Sequence, residues 1–277
     1  MIDKSDDLEL SAEVIRVLDS ADWFSHPETV TVAGLPIVRL TREQMCRIMV
    51  RDTARARSGD LQRPRVITSA NGNTIAMYHS QPAFRALIDQ MDLINADGMP
   101  LVYASRMFCT HPLPERLATT DFILDASAEA ARAGTRFYFL GARAGVAERA
   151  AAYLQARYPG LEVVGARNGY FEHRELAGIC ADIRRSGADV LWLGLGCGLQ
   201  EAIALECRDQ LEGVAWIHTC GGLFDYYGAG VSRAPIWMRR AALEWAYRGA
   251  REPIRLGWRY LTTNPRAFWY LATKTHD

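Results

Sequence analysis

The chain has 277 residues, of which 49% are hydrophobic, and its 32 basic residues balance 32 acidic ones. A chain of this length can bury a sizeable core, and its zero net charge gives no overall field that would draw it to nucleic acid. The first residues are acidic without an apolar segment, and no run approaches ~18 apolar residues. The sequence therefore predicts neither a signal peptide nor a membrane-spanning helix.

Six cysteines are scattered along the chain, and none of them forms a C-x-x-C pair. Scattered thiols of this kind are typical of proteins in a reducing compartment. The sequence therefore predicts a cytoplasmic protein.

The predicted elements begin with a polar lead segment, residues 1–29, followed by two short strands within residues 30–38. Apolar strands then alternate with amphipathic helices. The predicted strands are residues 65–70, 92–96, 136–140, 161–165, 189–195 and 214–219. The predicted helices are residues 42–58, 82–90, 121–133, 146–158, 174–186 and 200–211.

Apolar strands that alternate with helices are typical of a parallel sheet covered on both faces. The sequence thus predicts an α/β fold with a single doubly wound, mostly parallel, Rossmann-like sheet in residues 1–230. After residue 230 the pattern predicts helices only, broken at Pro235, Pro253 and Pro265. The sequence therefore predicts a basic, Trp-rich helical C-terminal appendage in residues 231–277, where nine basic and three acidic residues give a net charge of +6.

Polar residues stand where two of the predicted strands end. Thr68, Ser69 and Asn71 follow the first long strand, and Asp97 follows the next strand in the segment Asn-Ala-Asp-Gly. Ligands of an open parallel sheet bind beyond the carboxyl ends of the strands, so these side chains are candidates for a site. Asp97 suits either a catalytic carboxylate or the N-cap of the following helix, and the pattern leaves both open.

Glycine-containing turns follow two later strands. Glycine between a strand and a helix lets a phosphate approach backbone N–H groups at the helix N-terminus. Two such turns on neighbouring strands favour a nucleotide site. The residues concerned are Gly194, Gly196, Gln200, Glu201, Gly221, Gly222 and Asp225.

A dinucleotide-dependent oxidoreductase is the rival interpretation of these turns. It requires G-x-G-x-x-G and a carboxylate at the end of the following strand. Leu199 stands where the third glycine is needed, and the following strand ends in His218, Thr219 and Cys220. The six histidines show no metal-ligand spacing and no Asp-x-Asp occurs, so the sequence predicts no metal site and no cofactor.

Further segments between about residues 65 and 268 complete an ordered pattern. They are Asn95-Ala96-Asp97-Gly98, Glu115-Arg116, Thr119-Thr120-Asp121, Phe139-Leu140-Gly141, Gly169-Tyr170-Phe171, Gly194-Leu195-Gly196, Gln200-Glu201, Phe224-Asp225, Arg233-Ala234-Pro235, Leu243-Glu244-Trp245, Arg248, Glu252-Pro253 and Arg255. In order and spacing the chain resembles the WecG/TagA/CpsF family of bacterial glycosyltransferases, which includes N-acetylmannosaminyl-, N-acetylmannosaminuronosyl- and xanthan-type glucosyltransferases. The family's T-x-N is represented by Ser69-Ala70-Asn71, with Thr68 one position earlier, so either hydroxyl is a candidate for the donor pocket.

The resemblance implies an inverting, metal-independent transfer of a hexose, an N-acetylhexosamine or its uronate from a UDP-sugar. The implied acceptor is an undecaprenyl-diphosphate-linked (polyprenyl-diphosphate-linked) saccharide of exopolysaccharide or cell-surface glycan synthesis, and Asp97 is the implied catalytic base. The implied substrate and nucleotide contacts are Thr68, Ser69, Asn71, Arg116, Thr120, Asp121, Gly141, Gly194, Gly196, Gln200, Glu201, Gly221, Gly222 and Asp225. Lipid-diphosphate or leaving-group contacts are implied for Arg233, Arg240, Arg248, Arg251 and Arg255.

The charge and tryptophans of the appendage predict a peripheral contact with the inner face of the cytoplasmic membrane. The same residue types also build helix–helix interfaces, so a homo-oligomer stays open as an alternative. A non-catalytic sugar-nucleotide-binding subunit is a third alternative. The presence of Asp97 together with Gln200 and Glu201 favours an enzyme.

Overall fold

A computed structural model of the chain describes residues 26–251 and 257–277. A small antiparallel pair, β1 (Thr29–Val32) and β2 (Leu35–Val38), precedes the main sheet. The main sheet consists of β3 (Arg65–Ala70), β4 (Leu93–Ala96), β5 (Arg136–Gly141), β6 (Glu162–Arg167), β7 (Val190–Gly194) and β8 (Trp216–Thr219). Within the described residues, every strand belongs to one of these two sheets.

Helices connect and cover the strands, with one 3₁₀ turn at His173–Glu175. They are α1 (Arg42–Ser58), α2 (Gly72–Ser80), α3 (Pro82–Ile88), α4 (Met99–Phe108), α5 (Thr119–Ala133), α6 (Val146–Arg157), α7 (Leu176–Ser186), α8 (Leu199–Arg208), α9 (Leu223–Gly228), α10 (Ile236–Arg240), α11 (Glu244–Arg251) and α12 (Trp258–Thr273).

The main sheet has the strand order β4-β3-β8-β7-β5-β6, and every neighbouring pair is parallel. The chain moves outward from β3 to β4, crosses to β5 and β6 on the other side, and returns through β7 and β8. All six strands therefore end at one edge of the sheet. This arrangement confirms the predicted doubly wound, Rossmann-like α/β fold.

The core consists of apolar clusters on the two faces of the sheet. Helices α1, α5 and α6 cover one cluster, and α7 and α8 cover another. Every residue of β7 is buried, and Trp192 and Trp216 are fully buried large side chains. Continuous apolar strands are expected in a sheet that is covered on both faces.

The last helix, α12, packs against α2 and α4. Its Ala267 and Leu271 are buried in a third apolar cluster that also contains residues of β1 and β2. A backbone hydrogen bond also joins the end of the chain to the turn between β1 and β2, since the Gly34 N–H donates to the Lys274 carbonyl over 2.7 Å. The end of the appendage thus shares a hydrophobic core with the sheet.

The predicted break at Pro265 is wrong, because Pro265 lies inside α12. Pro235 does stand at a boundary, as the N-cap residue of α10, and Pro253 lies outside the described residues. Helices α2 and α9 were not predicted, whereas α4 is the helix that was expected, without bounds, to follow Asp97. Among the described residues, no helix is long and apolar enough to cross a membrane.

Candidate active site

A cleft of about 590 Å³ opens at the edge where the parallel strands end. Helices α10, α11 and α12 of the appendage close its outer side. Most of the sequence-predicted site residues line this one cleft: Ser69, Asn71, Asp97, Arg116, Thr120, Gly194, Gly196, Gln200, Glu201, Gly221, Gly222, Asp225 and Arg251.

Asp97 follows β4 directly and is partly exposed in the cleft. Its backbone N–H donates to the Ala70 carbonyl over 2.9 Å, which fixes the residue beside the end of β3. The N-cap residue of α4 is Gly98, and glycine has no side chain with which to cap. Asp97 is therefore not the N-cap residue of that helix, and its carboxylate belongs to the cleft.

Arg116 is surrounded by three carboxylates. Its side chain is only 13% exposed and forms ion pairs with Asp121 over 2.8 Å and with Glu244 over 3.1 Å. Burial opposes the charge on Arg116, but the charges of Asp97, Glu244 and Asp121 outweigh it and raise the pKa of the guanidinium. Arg116 therefore stays cationic beside Asp97.

Asp121 lies behind the cleft wall and does not line it. Its carboxylate accepts hydrogen bonds from Arg116, from Arg233 over 2.6 Å and from Arg239 over 3.2 Å. Burial alone would raise the pKa of Asp121, but the hydrogen bonds and charges of Arg233 and Arg116 lower it. The ion pair between Arg233 and Asp121 thus links the appendage to α5.

The five arginines predicted for lipid-diphosphate or leaving-group contact differ in position. Arg251 lines the cleft, whereas Arg233 is engaged with Asp121 outside it. Arg239, which the sequence analysis did not select, also lines the cleft. Arg255 lies outside the described residues, and so do the side chains of Arg240 and Arg248.

Thr68 and Ser69 point in opposite directions, as successive residues of a strand do. Ser69 lines the cleft and its hydroxyl lies 2.9 Å from that of Thr119. Thr68 is buried, accepts from the Thr219 hydroxyl over 2.9 Å and donates to Glu201 over 3.1 Å. Of the two candidate hydroxyls, only that of Ser69 is placed to meet a ligand in this cleft.

Gln200 and Glu201 connect the two glycine turns. Glu201 is buried, and its carboxylate accepts from the Gly198 N–H over 2.6 Å and from the Gln200 amide over 2.8 Å. The Gly221 N–H donates to the Gln200 side-chain oxygen over 2.9 Å. Their hydrogen bonds in the described residues go to protein groups, so the structure shows them fixing the turns after β7 and β8. Direct contact with a nucleotide stays a prediction.

The glycines of the site serve two different purposes. A Cβ on Gly141 would stand 2.4 Å from the Gly194 carbonyl oxygen, and one on Gly194 would stand 2.7 Å from that of Gly221. These glycines allow the loops beyond the strands to pack closely. Gly196 and Gly221 instead have positive φ angles of 90° and 53°, and, their own chain neighbours aside, no atom of the described residues lies within 4 Å of where their Cβ would stand. Gly196 and Gly221 line the cleft, and the space beside their backbone is open.

The family model described as the Glycosyl transferase WecG/TagA/CpsF family matches residues 30–276, nearly the whole chain. The chain belongs to this family. Membership confirms the resemblance drawn from the sequence motifs and identifies the activity as glycosyl transfer. It also decides against the dinucleotide-dependent oxidoreductase.

This glycosyltransferase has cleft residues that the sequence analysis did not select. They are mainly aromatic and polar side chains of the appendage helices, including Trp245, Tyr247, Tyr260 and Asn264. Trp245 was visible as part of Leu243-Glu244-Trp245 in the family pattern. Only the fold shows that this motif is folded back over the strand ends.

Within the described part of the glycosyltransferase, no group of three or more His, Cys, Asp or Glu side chains is arranged to hold a metal ion. His218 is fully buried near the end of β8, where its ring contacts those of Trp192 and Phe122. Burial lowers its pKa to about 4. His218 therefore lies in the core as a neutral ring and does not line the cleft.

Proposed function

We propose that the protein transfers a hexose or an N-acetylhexosamine derivative from a UDP-sugar to a hydroxyl of a polyprenyl-diphosphate-linked saccharide. The product belongs to exopolysaccharide or cell-surface glycan synthesis. One observation carries the proposal. Asp97, after β4, lines the same cleft as the open turns at Gly196 and Gly221, which follow β7 and β8. A base and a phosphate cradle thus face a common space whose volume suits a small-molecule substrate.

The proposed reaction is a direct displacement with inversion. The acceptor hydroxyl oxygen forms a bond to C1 of the donor sugar as the bond between C1 and the UDP oxygen breaks. Asp97 takes the hydroxyl proton, and UDP leaves with the bonding electron pair. Because attack comes from the face opposite UDP, the acceptor must lie on the Asp97 side and the nucleotide on the side of the glycine turns.

The charge that develops on UDP is stabilised by arginines and backbone N–H groups in place of a metal ion. Arg239 and Arg251 line the cleft, and guanidinium groups bind phosphate oxygens in a bidentate manner. Open backbone at Gly196 and Gly221 allows close approach of the diphosphate. These residues support a metal-independent transfer.

Because the proposed acceptor is anchored by a lipid, the enzyme must reach it at the inner face of the cytoplasmic membrane. Helices α4 and α12 contact each other and carry exposed large apolar side chains, among them Met107, Phe108, Leu261 and Trp269. Exposed apolar groups beside a net charge of +6 in residues 231–277 support peripheral attachment to an anionic surface. A homo-oligomer that buries the same side chains is the competing account.

A panel of UDP-sugars with a short-chain polyprenyl-diphosphate saccharide tests the proposal, by UDP release and by mass spectrometry of the lipid product. We expect one donor to yield equal amounts of UDP and of an acceptor longer by one sugar, with the rate unchanged by EDTA. Loss of activity in EDTA with recovery in Mg²⁺ or Mn²⁺ would overturn metal independence. UDP binding without transfer from any donor would favour the non-catalytic subunit.

A further inference from the structure

Two aromatic rings of the appendage form one wall of the cleft. Trp245 of α11 and Tyr260 of α12 both line it, with ring centroids 6.0 Å apart and an interplanar angle of 68°. Trp245 remains 40% exposed. Binding of a ligand over such a ring is favourable, because it removes a large apolar surface from water.

Both rings are connected to the Asp97 side of the cleft through their neighbours. Trp245 follows Glu244 in the chain, and Glu244 pairs over 3.1 Å with Arg116, whose pKa Asp97 helps to raise. Helix α12, which carries Tyr260, packs against α2 and α4, the helices that follow β3 and β4. The open glycine turns follow β7 and β8, farther along the sheet.

We propose that Trp245, together with Tyr260, binds a pyranose ring of the acceptor saccharide. This inference rests on the proposed function, since it assigns the Asp97 side of the cleft to the acceptor. A pyranose presents several C–H groups on one face, and these pack against an aromatic ring, whose face carries partial negative charge. Its hydroxyl groups point outward around the ring and require polar partners. Asn264, one helical turn after Tyr260 on α12, also lines the cleft and supplies a side-chain amide.

Steady-state kinetics test the assignment through the two Michaelis constants. We expect Trp245→Ala to raise the acceptor KM by about 10-fold or more, equivalent to about 1.4 kcal/mol, with the donor KM unchanged. Trp245→Phe retains an aromatic face and should recover most of the loss. Trp237 is 63% exposed on α10 and does not line the cleft, so Trp237→Ala is the matched control and should leave both constants unchanged. A rise in the donor KM alone would overturn the assignment.

A binding measurement separates this inference from the proposed reaction. The protein is labelled with 5-fluorotryptophan, and the Trp245 resonance is identified by its loss in Trp245→Phe. We expect the resonance to shift with a short-chain lipid diphosphate that carries the saccharide, and to stay in place with the same lipid diphosphate without sugar. A shift with UDP alone, or no shift with the saccharide-bearing lipid, would overturn the inference. If no UDP-sugar is transferred while the saccharide still moves the resonance, the proposed reaction fails and the sugar subsite stands.

Discussion

The carboxylate of Glu244 lies 3.1 Å from a guanidinium nitrogen of Arg116, a residue 128 positions earlier in the chain. The two side chains are only 23% and 13% exposed, so water screens their attraction weakly. Arg116 in turn contacts Asp121, which also accepts from Arg233 and Arg239 of the appendage. A chain of alternating charges therefore holds α10 and α11 over the cleft.

Replacing Glu244 with Gln should loosen α10 and α11 without unfolding the sheet. Removal of one partner from a half-buried ion pair costs about 1–3 kcal/mol, because Arg116 loses one of the three carboxylates that compensate its charge and keeps only Asp97 and Asp121. Hydrogen exchange should therefore accelerate in residues 236–251 and remain unchanged in β7. Glu43→Gln, which breaks an exposed pair with Arg47, is the control and should leave both regions unaffected. Unaltered exchange in Glu244→Gln would show that other contacts hold the appendage.

Asp121 should make the stability of the protein sensitive to acid. Its pKa in the folded protein lies below the ordinary value of 3.8, so its contribution is present above that pH and is lost as the pH falls through the lower folded-state pKa. We expect Asp121→Asn to unfold at lower denaturant concentration than the wild type at about pH 7, with the difference shrinking below about pH 4. A difference that stays constant over this range would mean that the charge of Asp121 is not what matters.

A matched pair of glycines tests whether the turn after β7 binds the nucleotide, as proposed. Gly196 and Gly213 have φ angles of 90° and 86°, and at neither would a Cβ meet an atom of the described residues within 4 Å. Alanine at either position should cost about 1–2 kcal/mol of backbone strain. Only Gly196 lines the cleft, so calorimetry should show weaker UDP binding for Gly196→Ala alone. Equal UDP affinity in the two variants would place the diphosphate elsewhere.

Membrane attachment is best tested by point substitutions, because deletion of the appendage would uncover the core side chains that pack against Ala267 and Leu271. We expect the protein to sediment with anionic liposomes at low salt, each basic residue near the surface contributing about 1 kcal/mol. High salt should release it, since the Debye length falls to ~3 Å at 1 M. Substitution of Met107 and Trp269 by Ser should weaken sedimentation.

The competing oligomer account makes a different prediction for the same variants. The double substitution of Met107 and Trp269 would then lower the mass measured by light scattering, and neither form would bind liposomes. Failure of the intact protein to sediment at low salt would contradict peripheral attachment.

The sequence predicted most of the fold because its local signals agree with the tertiary structure. Helix α1 has the predicted bounds, since Thr41 and Gln44 form a capping box and Gly59 ends the helix at a φ of 83°. Helix α2 was not predicted because Gly72 at its start resembles a loop residue, whereas Pro100 in the first turn of α4 did indicate a helix after Asp97. Pro265 lies inside α12, whose packing against α2 and α4 outweighs the preference of proline for helix ends.

Motif order located the site better than it assigned the individual side chains. Asp97 and the glycine turns meet in one cleft because parallel strands end at one edge. The motif left both Thr68 and Ser69 as candidates for the donor pocket. Because side chains alternate along β3, only Ser69 lines the cleft. The hydrogen bonds of Glu201 and the three-arginine contact of Asp121 depend on residues far away in sequence, and no local pattern predicts them.

The most direct test of the account is the transfer rate of Asp97→Asn with saturating acceptor and donor. Asparagine keeps the size of the side chain and removes its ability to take a proton, so kcat should fall by roughly 10²–10⁴-fold. UDP affinity should remain close to that of the wild type, because the proposed nucleotide site lies at the glycine turns and not at Asp97. Asp209→Asn, at an exposed carboxylate after α8, is the control and should retain full activity. A kcat near that of the wild type in Asp97→Asn would contradict the assignment of Asp97 as the base.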